Sequence, residues 1–495
     1  LVFWEVSIEE KGSEVMSQLE SRTLAPENLT ATVKASAHES NAKYDKATGE
    51  FEIAELSRVI PLPKVLQICL LQFSTAIVFV LLNSTLNRVM IVEYQIDAWI
   101  VGVLIGLHNL MAGIRPVIGY YSDTHLFFGY RRTPHIIVGN LIMVLGVLLS
   151  VHGLMLVKGN YAMGITLIVI AFTLYGLGIN ITGTMFYALL ADSAGEKHKA
   201  KAVTVGWFVL IFGIILVSGM VSNYLKDFSD ERLVSLFWIG GSFAILFTWL
   251  AMLGTEKRFA KAHEIVLSKK DDVSFKVAIK TLLANKTVYE FFLFMFITVV
   301  AIQGQDVILE PFGAEIFGMS VSETAKLTQL WGMGTMLGIL TLGLFFVNRI
   351  GKKRTTYLGC MLSAIGFLLV CVSPAVDVGL FKTAVVLLGL GNGALTVGTL
   401  TIMMDMTTKE NAGVFMGTWG AAQALANFVA NTTGGAIRDV SLWLSSSHYI
   451  GYATAFTIEM ILLFVAVAIL RVIDITEFQK RRPAEVLTQV VGRED

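Results

Sequence analysis

The chain is predicted to be an all-α integral membrane protein, and three observations carry that prediction. Of its 495 residues, 55% are hydrophobic and only 15% charged, with a mean hydropathy of +0.68. A soluble globular chain carries roughly 25% charged residues. Twelve apolar segments are each long enough to cross a bilayer, which takes about 20 residues of helix. Lysine and arginine gather in alternate loops, the bias that orients spanning helices.

The segments lie near 65–89, 96–119, 134–157, 162–190, 201–224, 233–254, 288–309, 326–347, 354–375, 379–403, 412–435 and 449–471. Many carry several glycines, which let helix backbones approach closely in a membrane. Residues 1–61 are polar, have no secretory signal pattern and are expected to form a cytoplasmic extension. Residues 62–254 then hold six spans. Residues 255–287 form a central loop with an amphipathic helix expected near 272–284. Residues 288–473 hold six more spans, and 474–495 make a charged tail.

With the amino terminus inside, the inner loops hold Arg131, Arg132, Lys197, Lys199, Lys201, the basic central loop and Arg349, Lys352, Lys353, Arg354. The opposite loops carry mostly single charges: Arg88, Lys158, Lys226, Arg232, Lys326, Lys382 and Arg438. Both termini are therefore expected in the cytoplasm. The formal net charge is zero, which gives no basis for nucleic-acid binding. Cys69, Cys360 and Cys371 sit in apolar runs with neither metal spacing nor a disulfide pattern.

An internal repeat divides the chain. The fourth segment reads Gly176-Leu-Gly178 and then Asp192; the tenth reads Gly389-Leu-Gly391 and then Asp405. A tryptophan follows each aspartate at nearly equal spacing, Trp207 and Trp419. Gly129-Tyr-Arg131-Arg132-Thr133 in one loop matches Gly351-Lys-Lys353-Arg354-Thr355 in another. Several matches in one order argue for two six-helix halves related about the membrane normal.

Gly119-x-x-x-Asp123 followed by Gly-x-Arg-Arg is similar to the loop signature of the major facilitator superfamily, with Asn348 and Arg349 before Gly351 in the second copy. The first copy departs from that pattern by extra residues before Gly129 and by Thr124, where a basic residue is common. A carboxylate at one helix end and guanidinium groups across the loop can latch two helices. Arg115, Asp123, Arg131, Arg132, Asp192, Arg349 and Asp405 are the candidates for such a cytoplasmic latch or gate. Arg115 could bridge to Asp192 or Asp123 or snorkel to the interface alone, and helix pairing is favoured over substrate contact.

Three further stretches are Asn87-Arg-Val-Met-Ile-Val-Glu93, Arg115-Pro-Val-Ile-Gly-Tyr-Tyr-Ser-Asp-Thr-His125 and Gln305-Asp-Val-Ile-Leu-Glu-Pro-Phe-Gly313. Together with Met404-Asp405 and the run from Gly413 to Asn427, they resemble the PucC, or bacteriochlorophyll delivery, family over roughly residues 62–472. The resemblance implies a major facilitator fold and a role in assembling light-harvesting complexes. It implies cargo of bacteriochlorophyll or chlorophyll, no required cofactor, and light-harvesting antenna polypeptides or a pigment synthase as partners in a photosynthetic membrane. The label "bacteriochlorophyll synthase subunit" used within that family is not read as enzymology. The sequence has no phosphate loop, metal cluster or nucleophile–base pair, so an enzyme is not expected.

Four residues are candidates for binding substrate or pigment: His108, Gln305, Asp306 and Glu310. The apolar run beginning at Val288 is interrupted by Gln303, Gln305, Asp306 and Glu310 before Pro311. Ionisable groups there are costly and by default functional. Asp306 and Glu310 share a helix face if the helix persists, and Pro311 predicts a break or turn. Glu310 could equally cap the span. His108 lies well inside a span, where its imidazole could ligate a pigment magnesium or be satisfied by Asn109. The other acids fall near helix ends, which favours pigment delivery over a proton-coupled solute transporter; an assembly scaffold that touches no pigment is a third reading.

Overall fold

The computed structural model describes residues 42–44, 51–53, 62–125, 127–194, 199–256, 286–406 and 412–473. Most of the extension 1–61, the helix expected at 272–284 and the tail 474–495 lie outside the described residues. Residues 1–59 form one compact unit and residues 60–495 another. Within the first, β1 (Ala42–Tyr44) pairs antiparallel with β2 (Phe51–Ile53), setting Tyr44 opposite Phe51. The sequence reading anticipated no strand there.

The second unit is helical. In order come α1 (Leu62–Phe79), α2 (Asn87–Val92), α3 (Ala98–Leu110), α4 (Arg115–Thr124), α5 (Thr133–Val157), α6 (Tyr161–Ala194), α7 (Lys199–Tyr224) and α8 (Asp230–Met252). Then follow α9 (Lys286–Gln303), α10 (Gln305–Phe317), α11 (Val321–Gly338), α12 (Val347–Ile350), α13 (Lys352–Val372), α14 (Val378–Met406), α15 (Ala412–Ser445) and α16 (His448–Val472). A π-helical stretch, Val80–Leu86, joins α1 to α2, and another, Ile339–Phe346, joins α11 to α12. Among the described residues, ten helices are long and apolar enough to cross a membrane. The helices beginning at Val321 and Ala412 are not among them. One carries Glu323, Lys326 and Gln329; the other carries Gln423, Asn427, Asn431, Arg438 and Asp439. Each polar group lowers the hydropathy that marks a span.

The repeated glycines take equivalent places. A β-carbon on Gly176 would meet the backbone of His108 on α3, and one on Gly178 would overlap Gly139 and Met143 on α5. On α14, Gly389 sits in the same way against Trp331 and Thr335 of α11, and Gly391 against Gly359 and Ser363 of α13. The Gly-Leu-Gly repeat is therefore a repeat of helix crossings. It sets how closely α6 and α14 approach two neighbours each.

The stretches 62–256 and 286–473 are joined near the end of the molecule that carries Trp99. There Ser222 and Ser322 lie 3.2 Å apart, the Trp99 amide donates to Asp439 Oδ2 at 2.8 Å, and Arg88 Nη2 donates to the Met319 carbonyl at 3.4 Å. The α3–α15 crossing is tight at that end. Gly102 lies against the Asn431 backbone, Gly106 against Phe428, and Gly435 against Ala98. Gly113 lies in the 3₁₀ turn Met111–Ile114 that follows α3, and Gly420 lies three turns before Asn431 on α15. A β-carbon on either would meet nothing described within 4 Å. The helices diverge toward the end that carries Arg131.

Candidate functional site

The break expected at Pro311 does not form: Pro311 lies inside α10, and at Gly304, where α9 passes into α10, the backbone stays right-handed helical (φ −60°, ψ −35°). Two close approaches meet at Gly304, and the stricter one, backbone on backbone, demands glycine at 434. The Glu459 carboxylate of α16 presses on Gly304 from one side, and Gly434 of α15 packs on the Gly304 carbonyl from another. Proline removes the amide that would bond the carbonyl four residues earlier; that carbonyl belongs to Val307. Asn87 supplies the missing donor, its Nδ2 lying 3.1 Å from the Val307 oxygen and 2.9 Å from that of Asp306. The predicted break is thus averted by a side chain from another helix.

Asp306 and Glu310 persist on one helix but address different neighbours. Asp306 accepts a hydrogen bond from Gln303 Nε2 at 3.1 Å. Glu310 is buried and accepts from Ser84 Oγ at 2.6 Å and from Thr328 Oγ1. Gln305 is 1% exposed, and neither amide atom has a partner among the described residues. Glu459, near the middle of α16, is 4% exposed, and neither of its oxygens has a described hydrogen-bond partner. The reading that placed the acids near helix ends, with few at mid-membrane, did not single out this residue. A lone glutamate in the run Thr457-Ile-Glu-Met-Ile-Leu-Leu was the available signal.

Two arginines assigned to loops are also inside the fold. Arg88 is buried, pairs with Glu93 and belongs to α2. Arg438 is buried on α15, with Nη2 2.6 Å from Glu315 Oε2 and Nη1 2.8 Å from Asp439 Oδ1. The same Glu315 oxygen lies 2.6 Å from His448 Nδ1 and accepts from the Tyr452 hydroxyl at 2.9 Å. Charge counting along a sequence cannot separate a loop arginine from one paired inside a helix end.

His108 is half-buried on α3. Its Nδ1 lies 2.6 Å from the Ile105 carbonyl, not against Asn109. A carbonyl can only accept, so Nδ1 bears the proton and the neutral ring keeps its lone pair on Nε2. That nitrogen is the one able to hold a pigment magnesium. Arg115 meets neither Asp192 nor Asp123 in any described hydrogen bond. Its Nε donates to Asn180 Oδ1 at 2.7 Å, while Asn180 Nδ2 donates to the His108 carbonyl at 2.8 Å. Asn180, which sequence reasoning missed, covers a carbonyl where α3 gives way to the 3₁₀ turn Met111–Ile114. Among the described residues no group of three metal-ligating side chains exists.

At the Arg131 end, Arg132 is buried; its Nε lies 3.2 Å from Asp192 Oδ2, and its Nη1 donates to Ser122 Oγ. Glu256 caps α5 by accepting from the amides of Arg131 at 2.7 Å, Arg132 at 3.0 Å and Thr133 at 2.7 Å. A carboxylate suits a helix N-terminus. In the later stretch Lys353 Nζ, at the start of α13, donates to the carbonyls of Arg471 at 3.1 Å and Ile473 at 2.8 Å, at the end of α16. Arg349 is exposed. The side chains of Asp123, Asp405 and Asn348 lie outside the described residues.

Comparison with known proteins places these features in a family. The family model for PUCC protein matches residues 85–478. The chain is 31% identical over 384 residues to the "Bacteriochlorophyll synthase 44.5 kDa chain" of Rhodobacter capsulatus, covering 76% of this chain and 87% of that one. It is 29% identical to "Protein PucC" of Rhodobacter capsulatus, over 83% of this chain and 92% of the relative. Among solved structures it resembles the nucleoside transporter NupG, with a TM-score of 0.64 at 16% identity over 83% of this chain and 99% of that one. It also resembles a D-xylose-proton symporter, with a TM-score of 0.60 at 18% identity over 83% and 96%. At such identities the likeness concerns the fold alone, which is of the major facilitator type.

Proposed function

The chain belongs to the PUCC protein family, and on that premise we propose that it assists assembly of light-harvesting complexes by handing bacteriochlorophyll or chlorophyll to antenna polypeptides. It does so as a non-enzymatic protein of twelve spans in two six-helix halves. Ten spans are those long enough on hydropathy alone; α11–α12 and α15 supply the other two. The Arg131 end faces the cytoplasm with both termini, in an inner or intracytoplasmic photosynthetic membrane, and a pigment synthase is the source of cargo. No resident cofactor is needed.

The match over residues 85–478 carries this reading, because the relatives it joins are named for bacteriochlorophyll synthase and for PucC. His108 is the proposed axial ligand through Nε2, near where α3 and α15 diverge. Gln305, Asp306 and Glu310 line the polar part of the path. Arg132 with Asp192, helped by Arg115, Asp123 and Arg131, latches the cytoplasmic end of one half; Arg349 and Asp405 do so in the other.

The test is an absorption spectrum and pigment extraction on protein purified in mild detergent from a phototroph. Stoichiometric pigment, lost in His108→Ala at unchanged protein yield, is the expected result. A colourless, well-folded protein from pigment-rich cells overturns direct delivery. A second reading, an alternating-access transporter of a small solute, is favoured by one observation: Glu459 sits deep in a span without a cationic partner among the described residues.

A further inference from the structure

We propose that Arg115 binds a phosphate group in the opening where α4 and α6 diverge from α15, with Asn180 as the residue that aims its guanidinium. The inference goes beyond pigment delivery and does not rest on it.

Arg115 is held but not neutralised. Its Nε donates to Asn180 Oδ1 at 2.7 Å, and Asn180 is 1% exposed. The other end of that amide settles its orientation, because Nδ2 donates to the carbonyls of His108 at 2.8 Å and Gly176 at 2.7 Å. Turned over, it would set an oxygen against two carbonyls and a donor against the guanidinium. Arg115 is exposed, yet this bond draws it toward the interior face of α6 and not outward along its stem. The terminal nitrogens Nη1 and Nη2 have no partner among the described residues.

A neutral amide supplies no counter-charge. The buried arginines each have one: Arg88 pairs with Glu93, Arg132 with Asp192 and Arg438 with Glu315. Around Arg115 the helices offer none. There is no acid in α1 or α3, none in α6 before Asp192, and none in α15 before Asp439. Asp192 lies about 18 Å beyond Asn180 along α6 and is taken by Arg132. On α4 the next acid is Asp123, about 12 Å further along the helix. An arginine in a spanning helix without a carboxylate is costly and points to a ligand.

The space beside it is open. A β-carbon on Gly183, one turn past Asn180 on α6, would meet nothing described within 4 Å. The same holds at Gly113, just before Arg115, and at Gly420 on α15. Tyr187, two turns past Asn180 on the same face of α6, is 38% exposed and adds a phenol to that wall. A guanidinium with both terminal nitrogens free matches an oxyanion through two parallel hydrogen bonds. Depth selects phosphate. Arg115 lies about 25 Å of helix from Ala98 at the opposite end of its span, against a hydrocarbon core of about 30 Å. That is the level of the phospholipid phosphates on the Arg131 side, and basic groups between spanning helices at that level bind anionic headgroups. A phosphate reaches the opening from such a headgroup or from the solution on the same side.

The experiment is thermal unfolding of the purified full chain in detergent at fixed ionic strength. It is titrated with inorganic phosphate and with dioctanoyl phosphatidylglycerol; dioctanoylglycerol, which has no phosphate, and chloride are the controls. The expected result is a saturable rise in melting temperature with at least one phosphate probe and none with either control. Arg115→Gln abolishes the rise. Asn180→Ala weakens the apparent affinity at least tenfold, since the guanidinium remains but is no longer aimed. A response to phosphatidylglycerol alone makes the lipid the source, and a response to inorganic phosphate makes it a soluble phosphate; either supports the site. No saturable response, an equal response to chloride, or wild-type affinity in Arg115→Gln overturns it, and unchanged affinity in Asn180→Ala overturns the aiming role. If Arg115→Gln does not fold, Arg115→Lys decides in its place: lysine keeps the charge without the fork, and unchanged affinity there overturns the proposal. Neither probe is a pigment, so a colourless protein tests the site equally and the outcome is separate from that of pigment delivery.

Discussion

Two layers of the same three helices treat buried acids in opposite ways. In the layer nearer the Trp99 end, Glu315 of α10 meets Arg438 of α15 and His448 and Tyr452 of α16, and Asp439 takes the other arm of the guanidinium. About two turns deeper, α10 offers Asp306, α15 offers Asn431 and α16 offers Glu459, with no cation among the described side chains. Where each charge has its counter-charge and donors, an ionic cluster fastens helices together. Where an acid lies buried without one, as Glu459 does among the described residues, burial makes the ionised state expensive and the group does nothing to fasten the helices.

The sharpest way to break this comparison is to unbalance the upper layer. Arg438→Met should leave Glu315 buried without its guanidinium and cost roughly 3–5 kcal/mol, read as a large fall in melting temperature in detergent. A change near zero would mean that the two layers do not differ in kind. Next in size is Asn87→Ala, which strips the donor from the Val307 carbonyl below Pro311. It should cost about 1–3 kcal/mol, and hydrogen exchange should rise locally in α10 if the bond is lost there.

The lower layer predicts the reverse sign. Glu459→Gln replaces a buried carboxyl group that has no described hydrogen-bond partner, so stability should hold or increase by about 1 kcal/mol. A marked loss on thermal denaturation would show that Glu459 is structural after all. The smallest effect belongs to the exposed pair at the loop after α5. There Lys158 Nζ lies 2.5 Å from Asp230 Oδ2, and that bond holds the ammonium above the ordinary lysine range. Lys158→Ala should change stability by less than about 0.5 kcal/mol, within the scatter of repeated melts.

The comparison also explains which parts of the site were legible in sequence. Asp306 and Glu310 stand out because an apolar run stops at them. Glu459 does not interrupt its run, since one acid in a helix otherwise rich in alanine, isoleucine and valine barely lowers the hydropathy, yet it is the more deeply isolated group. Pro311 gave a false break because a helix can borrow a donor from elsewhere, and Asn87 lies more than two hundred residues away in sequence. Arg115 was read as a helix-pairing residue, and the partner it bonds is Asn180, a neutral residue with no charge to announce it.

By itself the sequence determined that the chain is a multi-pass helical membrane protein, where most spans run, and that Gly-Leu-Gly occurs twice. These properties are set locally, because hydropathy over about 20 residues decides what a bilayer accepts and glycine decides how close two backbones come. Only the tertiary structure decided which charges meet. Partner choice among buried groups depends on atoms brought together from distant helices, and an energy set by separation and burial leaves no mark on residue order. That is why the chain announces its membrane spans plainly, while the isolated acid on α16 and the asparagine that mends α10 become visible only once the helices are packed.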